Sequence, residues 1–153
     1  MESSNLYMQM KSNENYIVWN PDDIAPCSAD YVEICEDEDA LRFVVNCGES
    51  VITVSFFGIV PAYMFSEEGM RMMSWSIAQE KNKDRFYFTK WPIYKVENSC
   101  MIHWALMESC GYYSEDALTH YCIVTDQEIV DIISMCEPRI TVDVSGLSGA
   151  DIQ

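Results

Sequence analysis

The sequence predicts an α+β fold in which a mainly antiparallel sheet packs against about three helices. Two observations lead to this class. Short stretches rich in β-branched and aromatic residues recur along the 153-residue chain, as is typical of strands. Segments with helix-capping residues or with apolar residues at helical spacing lie among them, without the regular alternation that a parallel sheet requires. The length fits one domain, and 49% apolar residues are enough to build a core.

The chain is predicted to consist of one central domain with two less ordered ends. Residues 1–15 are polar and have no clear hydrophobic period, so we expect them to be partly disordered. Residues 144–153 contain two glycines and two serines and are expected to form a flexible tail. No internal repeat or Pro/Gly-rich linker divides the remainder, which predicts a single α+β domain over residues 16–143.

Nine short segments are predicted as strands. Gly48 lies between two of them and predicts a hairpin turn at residues 47–50, because glycine accepts the positive φ that tight turns need. Pro92 separates two others and favours a sheet edge or a bulge. The predicted strands are 16–19, 31–35, 41–46, 51–57, 60–65, 85–89, 93–96, 120–124 and 139–142.

Two of the predicted helices begin after a serine that can cap them. Ser66 precedes Glu67 and Glu68, and carboxylates in a first turn are favoured by the helix dipole. Ser99 precedes the second helix, which is expected to end before Gly111. Both segments repeat apolar residues at helical spacing, so each has one face to bury.

The third predicted helix has the fullest set of local signals. Thr125 and Glu128 have the spacing of a capping box. An apolar run over residues 129–133 follows, and Pro138 marks the exit. We therefore expect a helix between Thr125 and Pro138.

The charge of the chain is strongly negative and unevenly spread. The formal net charge is −16, from nine Lys and Arg against 25 Asp and Glu. Residues 1–70 carry −11, residues 71–95 carry +4, and residues 96–153 carry −9. Nucleic acids and anionic membranes bind positive surfaces, so we expect neither as a partner. Ion pairs within the chain are the expected use of the basic interval 71–95.

Runs of carboxylates mark the segments where we expect a basic partner to bind. Complementary charge accelerates association and disfavours wrong partners. A solvated turn is the alternative interpretation, and a calcium loop is disfavoured because the run at 36–39 lacks alternating ligand spacing. The predicted partner-binding residues are Asp22, Asp23, Glu36, Asp37, Glu38, Asp39, Glu115 and Asp116.

The sequence contains no motif that predicts catalysis, a metal or another cofactor. Cys100 and His103 share a helix face, and His120 and Cys122 share a strand face, which leaves a Cys2His2 zinc site as an alternative. The linear spacing is unlike that of common zinc modules, so we predict neither metal binding nor enzymatic activity. The seven cysteines include no C-x-x-C pair, and no secretory leader is evident. We therefore expect reduced thiols and a cytoplasmic protein.

A pattern of structural residues over residues 96–138 consists of Val96, Glu97, Asn98, Ser99, Ile102, Trp104, Glu108, Ser109, His120, Tyr121, Ile123, Thr125, Val130, Asp131, Ile132, Ile133, Glu137 and Pro138. This pattern resembles small acidic immunity proteins of bacterial contact-dependent and other polymorphic toxin systems. That resemblance implies a cytoplasmic protein that binds a basic toxin domain, commonly a nuclease, and blocks it without chemistry.

Charge and resemblance lead to the same functional hypothesis. We expect an immunity or inhibitor protein that neutralises a basic toxin domain by stoichiometric binding. One alternative is an acidic DNA mimic that inhibits a DNA-binding enzyme, which requires carboxylates regularly spaced along one face. The other alternative is a small enzyme or a regulatory domain.

Overall fold

The computed structural model describes residues 2–144 and confirms the α+β class. The predicted tail at 144–153 lies, apart from Val144, outside the described residues. In chain order the strands are β1 (Asn15–Val18), β2 (Tyr31–Glu36), β3 (Leu41–Asn46), β4 (Ser50–Phe56), β5 (Ala62–Glu67), β6 (Ile93–Glu97), β7 (Thr119–Val124), β8 (Glu128–Ser134) and β9 (Arg139–Val144).

These strands form two antiparallel sheets. The larger sheet has the order β1-β6-β7-β8-β5, and the smaller has the order β2-β3-β4-β9. The β3–β4 hairpin turns at Gly48, whose φ is +80°, as the sequence predicted. Short links join β4 to β5 and β8 to β9 at one end of the sheets, while the β7–β8 hairpin closes the other end.

Three helices lie on the side of the larger sheet that faces away from the smaller one. They are α1 (Glu2–Ser12), α2 (Met72–Asn82) and α3 (Cys100–Glu108). Short 3-10 helices cover Glu68–Arg71, Tyr87–Thr89 and Glu115–Ala117. α3 confirms the second predicted helix, because the Ser99 hydroxyl accepts a hydrogen bond from the Ile102 N–H at 3.0 Å.

Apolar side chains pack on both faces of the larger sheet. Between the sheets, Phe43 and Phe56 of the smaller sheet are buried with Ile123 and Val130 of the larger one. On the helical face a second cluster includes Ala78 of α2. β7 and β8 are therefore buried on both sides, which explains why apolar residues occur on both faces of each strand.

The prediction of a third helix between Thr125 and Pro138 is wrong, because residues 128–134 form strand β8. The Thr125 hydroxyl does accept the backbone N–H of Glu128, at 2.9 Å. The Thr125 N–H also donates to the Glu128 carbonyl at 2.9 Å, so the bonds close the β7–β8 hairpin instead of capping a helix. A strand buried on both faces loses the period-2 pattern, and the apolar residues on either side of Asp131 resemble one face of a helix.

Three further segments differ from expectation. The predicted strand at 85–89 contains a 3-10 helix, and Ser66 lies within β5, so α2 begins later than predicted. Within residues 1–15, where no helix was predicted, the structure has α1. The polar sequence did not predict this helix, because tertiary contacts just beyond its end hold it in place, such as the hydrogen bond from the Cys100 N–H to the Glu14 carboxylate.

Candidate functional site

A groove of about 410 Å³ opens between α1, α3 and the edge strand β5. Tyr7, Met64, Met101 and Trp104 contribute apolar walls. Its floor contains charged and polar side chains that the neighbouring helices and strands hold in place. Apolar walls over a few convergent polar groups are typical of ligand sites, so this groove is the candidate functional site.

Asp131 is the centre of the buried network. It lies on β8 with 1% of its surface exposed, and its Oδ1 atom is 2.7 Å from Nε2 of His120 on β7. Arg71 forms an ion pair with its other oxygen. Burial would raise the pKa of the Asp131 carboxyl, but His120 and Arg71 outweigh burial and hold that pKa well below its usual range.

The network continues from His120 to the start of α3. The Ser99 Oγ atom lies 2.6 Å from Nδ1 of His120 and already accepts the Ile102 N–H. The ionised Asp131 carboxylate can only accept, so Nε2 of His120 carries a hydrogen and donates to it. When Nε2 carries the single hydrogen of the ring, Nδ1 is an acceptor and the Ser99 hydroxyl donates to it.

A second buried carboxylate ties α1 to α3. Glu14 has 2% of its surface exposed, and its Oε2 atom accepts the Cys100 N–H at 2.8 Å. Its Oε1 atom lies 2.5 Å from the Lys11 ammonium. A carboxylate in this place satisfies a free N–H group at the N-terminus of α3 and is favoured by the helix dipole.

The chain from Ser99 through His120 to Asp131 has the order of hydroxyl, imidazole and carboxylate found in nucleophilic enzymes. Three observations favour a structural role. The Ser99 hydroxyl caps α3, the Glu14 carboxylate occupies a helix N–H that could otherwise bind an oxyanion, and Arg71 shares Asp131. The network fastens α3 and the Glu68–Arg71 turn to the centre of the larger sheet.

Sequence reasoning missed this network. The available signal was Asp131, an acidic residue inside an otherwise apolar segment, since a charge in a core needs a partner. Identifying the partners required the β7–β8 register, which pairs Asp131 with Cys122 and sets His120 on the same face.

The predicted acidic residues lie at opposite ends of the molecule. Asp22 and Asp23 are exposed in the connection after β1, at the end where the β7–β8 hairpin lies. Residues 36–39 are exposed in the β2–β3 turn at the other end, and Glu115 and Asp116 precede β7 at that same end. The structure thus does not bring all eight carboxylates together.

Asp37 differs from its neighbours in the β2–β3 turn. Its Oδ1 atom accepts the N–H groups of Asp39 at 2.8 Å and Ala40 at 2.9 Å, and its Oδ2 atom pairs with Arg42. The backbone hydrogen bonds from Ala40 and Asp39, together with Arg42, lower the pKa of Asp37. Within residues 2–144, no Lys, Arg or His nitrogen lies within 4.0 Å of the other seven carboxylates, namely Asp22, Asp23, Glu36, Glu38, Asp39, Glu115 and Asp116.

The basic interval 71–95 is largely engaged within the chain. Arg71 pairs with Asp131, and Lys90 lies 2.6 Å from Asp84. The Lys81 ammonium donates to the Glu14 carbonyl at 3.0 Å. Of the six basic residues in this interval, Arg71 and Lys90 form ion pairs among the described residues, so the expected pairing is met only in part.

The four residues of the zinc alternative do not form a common site. His120 bonds Ser99 and Asp131, whereas His103 lines a separate cavity of about 850 Å³ beside α3. Burial above all raises the pKa of the Cys122 thiol, which disfavours the thiolate that zinc binds. Across the described part of the chain, no three His, Cys, Asp or Glu side chains are grouped to hold a metal ion.

Comparisons with known proteins give no family. No protein-family model, curated protein or solved structure matches the chain. Among residues 2–144, every helix is too short or too polar to cross a membrane.

Proposed function

We propose that this chain is an immunity or inhibitor protein that neutralises a basic bacterial toxin domain, a nuclease, by stoichiometric occlusion. One observation carries the proposal. The exposed acidic segments have no Lys, Arg or His ion-pair partner among the described residues, except at Asp37. Their charge is therefore available to a partner.

The β2–β3 turn is the best-defined acidic surface. Asp37 fixes the turn through two backbone hydrogen bonds, so Glu36, Glu38 and Asp39 are exposed on a preorganised backbone. A surface that is already ordered loses little conformational entropy on binding. Carboxylates on a fixed backbone suit the Lys and Arg side chains with which a nuclease would hold phosphate.

An exposed aromatic residue lies near the second acidic segment at the same end. Tyr112 is 83% exposed, and its ring contacts Tyr113 with centroids 5.0 Å apart. Glu115 and Asp116 follow it three and four positions later. Tyrosines inside a charged rim are common anchors of protein interfaces, so we assign the contact surface to this end of the strands.

The DNA-mimic alternative gains no specific support. It requires carboxylates in a regular line along one face, whereas the predicted residues are divided between the two ends.

Affinity capture from an extract of the source cells tests the proposal. The immobilised protein should retain a basic polypeptide at about 50 mM salt and release much of it at about 500 mM, because salt screens exposed charges. The captured domain, once purified, should lose its nuclease activity at one equivalent of inhibitor. Capture of no basic protein at low salt would contradict the proposal.

Two charge-matched variants locate the contact surface. The double variant E38Q/D39N should lower the association rate constant at least about tenfold. D22N/D23N also removes exposed acidic charge, but at the opposite end, and should change the rate by less than about threefold. Equal effects of the two variants would contradict the assignment.

A further inference from the structure

We propose that Cys27 and Cys47 form an intramolecular disulfide when the folded protein is exposed to a peroxide. Their Sγ atoms lie 3.3 Å apart. A disulfide bond is about 2.05 Å long, so the two atoms need to approach by only about 1.3 Å. The bond would join the β1–β2 connection to the β3–β4 turn.

Backbone hydrogen bonds fix both cysteines in this arrangement. The Cys27 N–H donates to the Lys90 carbonyl at 3.0 Å, and the Cys47 N–H donates to the Ser50 carbonyl at 2.9 Å. Between them, the Asp30 N–H donates to the Asn46 carbonyl at 2.7 Å, directly beside Cys47. The two thiols therefore meet because the backbones of two segments are held together.

The surroundings of the pair set how fast it can react. Both cysteines are half-buried and pack against the core between the sheets. Burial, followed by the neighbouring Cys27 and Asp30, raises the pKa of Cys47 to about 12. The thiolate is the reactive form, so we expect oxidation to be slow at neutral pH and faster in alkaline solution.

The reaction needs one peroxide for each pair of thiols. One cysteine attacks hydrogen peroxide, the O–O bond breaks, and a sulfenic acid and one water form. The second thiol then attacks the sulfenic sulfur, the S–O bond breaks, and a disulfide and a second water form. The two thiols lose two hydrogens and two electrons, and the peroxide is reduced to two waters.

The test oxidises the purified full chain with hydrogen peroxide at mildly alkaline pH. Remaining thiols are then alkylated, and cross-linked peptides are identified by mass spectrometry without reduction. We expect the Cys27–Cys47 link as the main intramolecular product, whereas peroxide should convert the exposed residues Cys35 and Cys110 to sulfenic and higher acids without an intramolecular link. The oxidised protein should melt on the order of 5–10 °C higher than the reduced protein, because the link lowers the conformational entropy of the unfolded chain.

Matched variants separate this pair from general thiol oxidation. Cys27→Ser should abolish both the cross-link and the thermal shift, whereas Cys35→Ser should leave both unchanged. If Cys27→Ser fails to fold, the cross-linked peptides of the oxidised wild-type chain decide whether Cys27 pairs with Cys47. A different main pairing, or a cross-linked protein that melts at a lower temperature, would overturn the proposal.

Discussion

The carboxylate of Glu128 joins the two sheets, since its Oε1 atom accepts the backbone N–H of Val32 at 2.9 Å. Glu128 begins β8 of the larger sheet, and Val32 lies in β2, an edge strand of the smaller one. Both residues are buried. The edge N–H would otherwise lack a partner away from water, which is costly.

Removing this acceptor should destabilise the protein. Glu128→Ala is expected to lower the free energy of unfolding by about 1–3 kcal/mol, the cost of an unsatisfied buried donor. Glu128→Gln retains an acceptor oxygen and should lose clearly less. Urea denaturation of both variants measures the difference, and equal losses would show that the bond to Val32 is unimportant.

Replacing Asp131 should change both stability and its dependence on pH. Asp131→Asn leaves Arg71 buried without a counter-charge, so we expect a loss of about 3–5 kcal/mol at neutral pH. The pKa of Asp131 is lowered in the folded state, so its contribution is full above the unfolded-state pKa of about 3.9. That contribution falls as the pH decreases below about 4.

The expected signature is therefore a difference between wild type and Asp131→Asn that shrinks between about pH 5 and pH 2. Urea denaturation across this range measures it. Glu137→Gln, at an exposed carboxylate, is the control and should show no comparable difference. A gap that stays constant with pH would contradict the assigned charge of Asp131.

Truncating the cap of α3 should loosen the helix and release His120. Ser99→Ala is expected to cost about 1–2 kcal/mol, because the Ile102 N–H loses its acceptor. Nitrogen NMR of the wild-type protein should show a hydrogen on Nε2 of His120. Ser109→Ala, near the other end of α3, keeps the cap and should cost less. An Nδ1-protonated ring in the wild type would refute the hydrogen-bond order from Ser99 to Asp131.

A side chain at Gly58 should not fit. A Cβ atom there would lie 2.8 Å from Cβ and 2.9 Å from Sγ of Cys136. Gly58→Ala is therefore expected to lower the free energy of unfolding by about 1–3 kcal/mol through overpacking. At Gly69 the nearest atom to such a Cβ is 3.9 Å away, so Gly69→Ala is the matched control. Similar melting temperatures for the two variants would contradict the prediction.

The sequence predicted elements whose signals are local. The β3–β4 hairpin follows from Gly48 between two β-prone segments, and α3 follows from the cap at Ser99. It misassigned β8, because Thr125 makes similar short-range hydrogen bonds in a hairpin turn and in a helix cap. The choice between the two depended on burial of both faces of β8.

Some features of the candidate site could also be predicted from the sequence, and others could not. Exposure of residues 36–39 could be predicted, since a run of carboxylates between two strands has no low-energy place in a core. The buried contacts of Asp131 could not be predicted, because they depend on where other segments lie.

The sequence by itself determined the fold class and the large acidic excess, since composition and local patterning do not depend on distant contacts. Only the tertiary structure decided which carboxylates remain unpaired, that Asp131 joins Arg71 to His120, and that Cys27 meets Cys47. The physical reason is that these contacts join residues 11 to 60 positions apart. Such pairs meet only after sheet register and helix packing have been fixed.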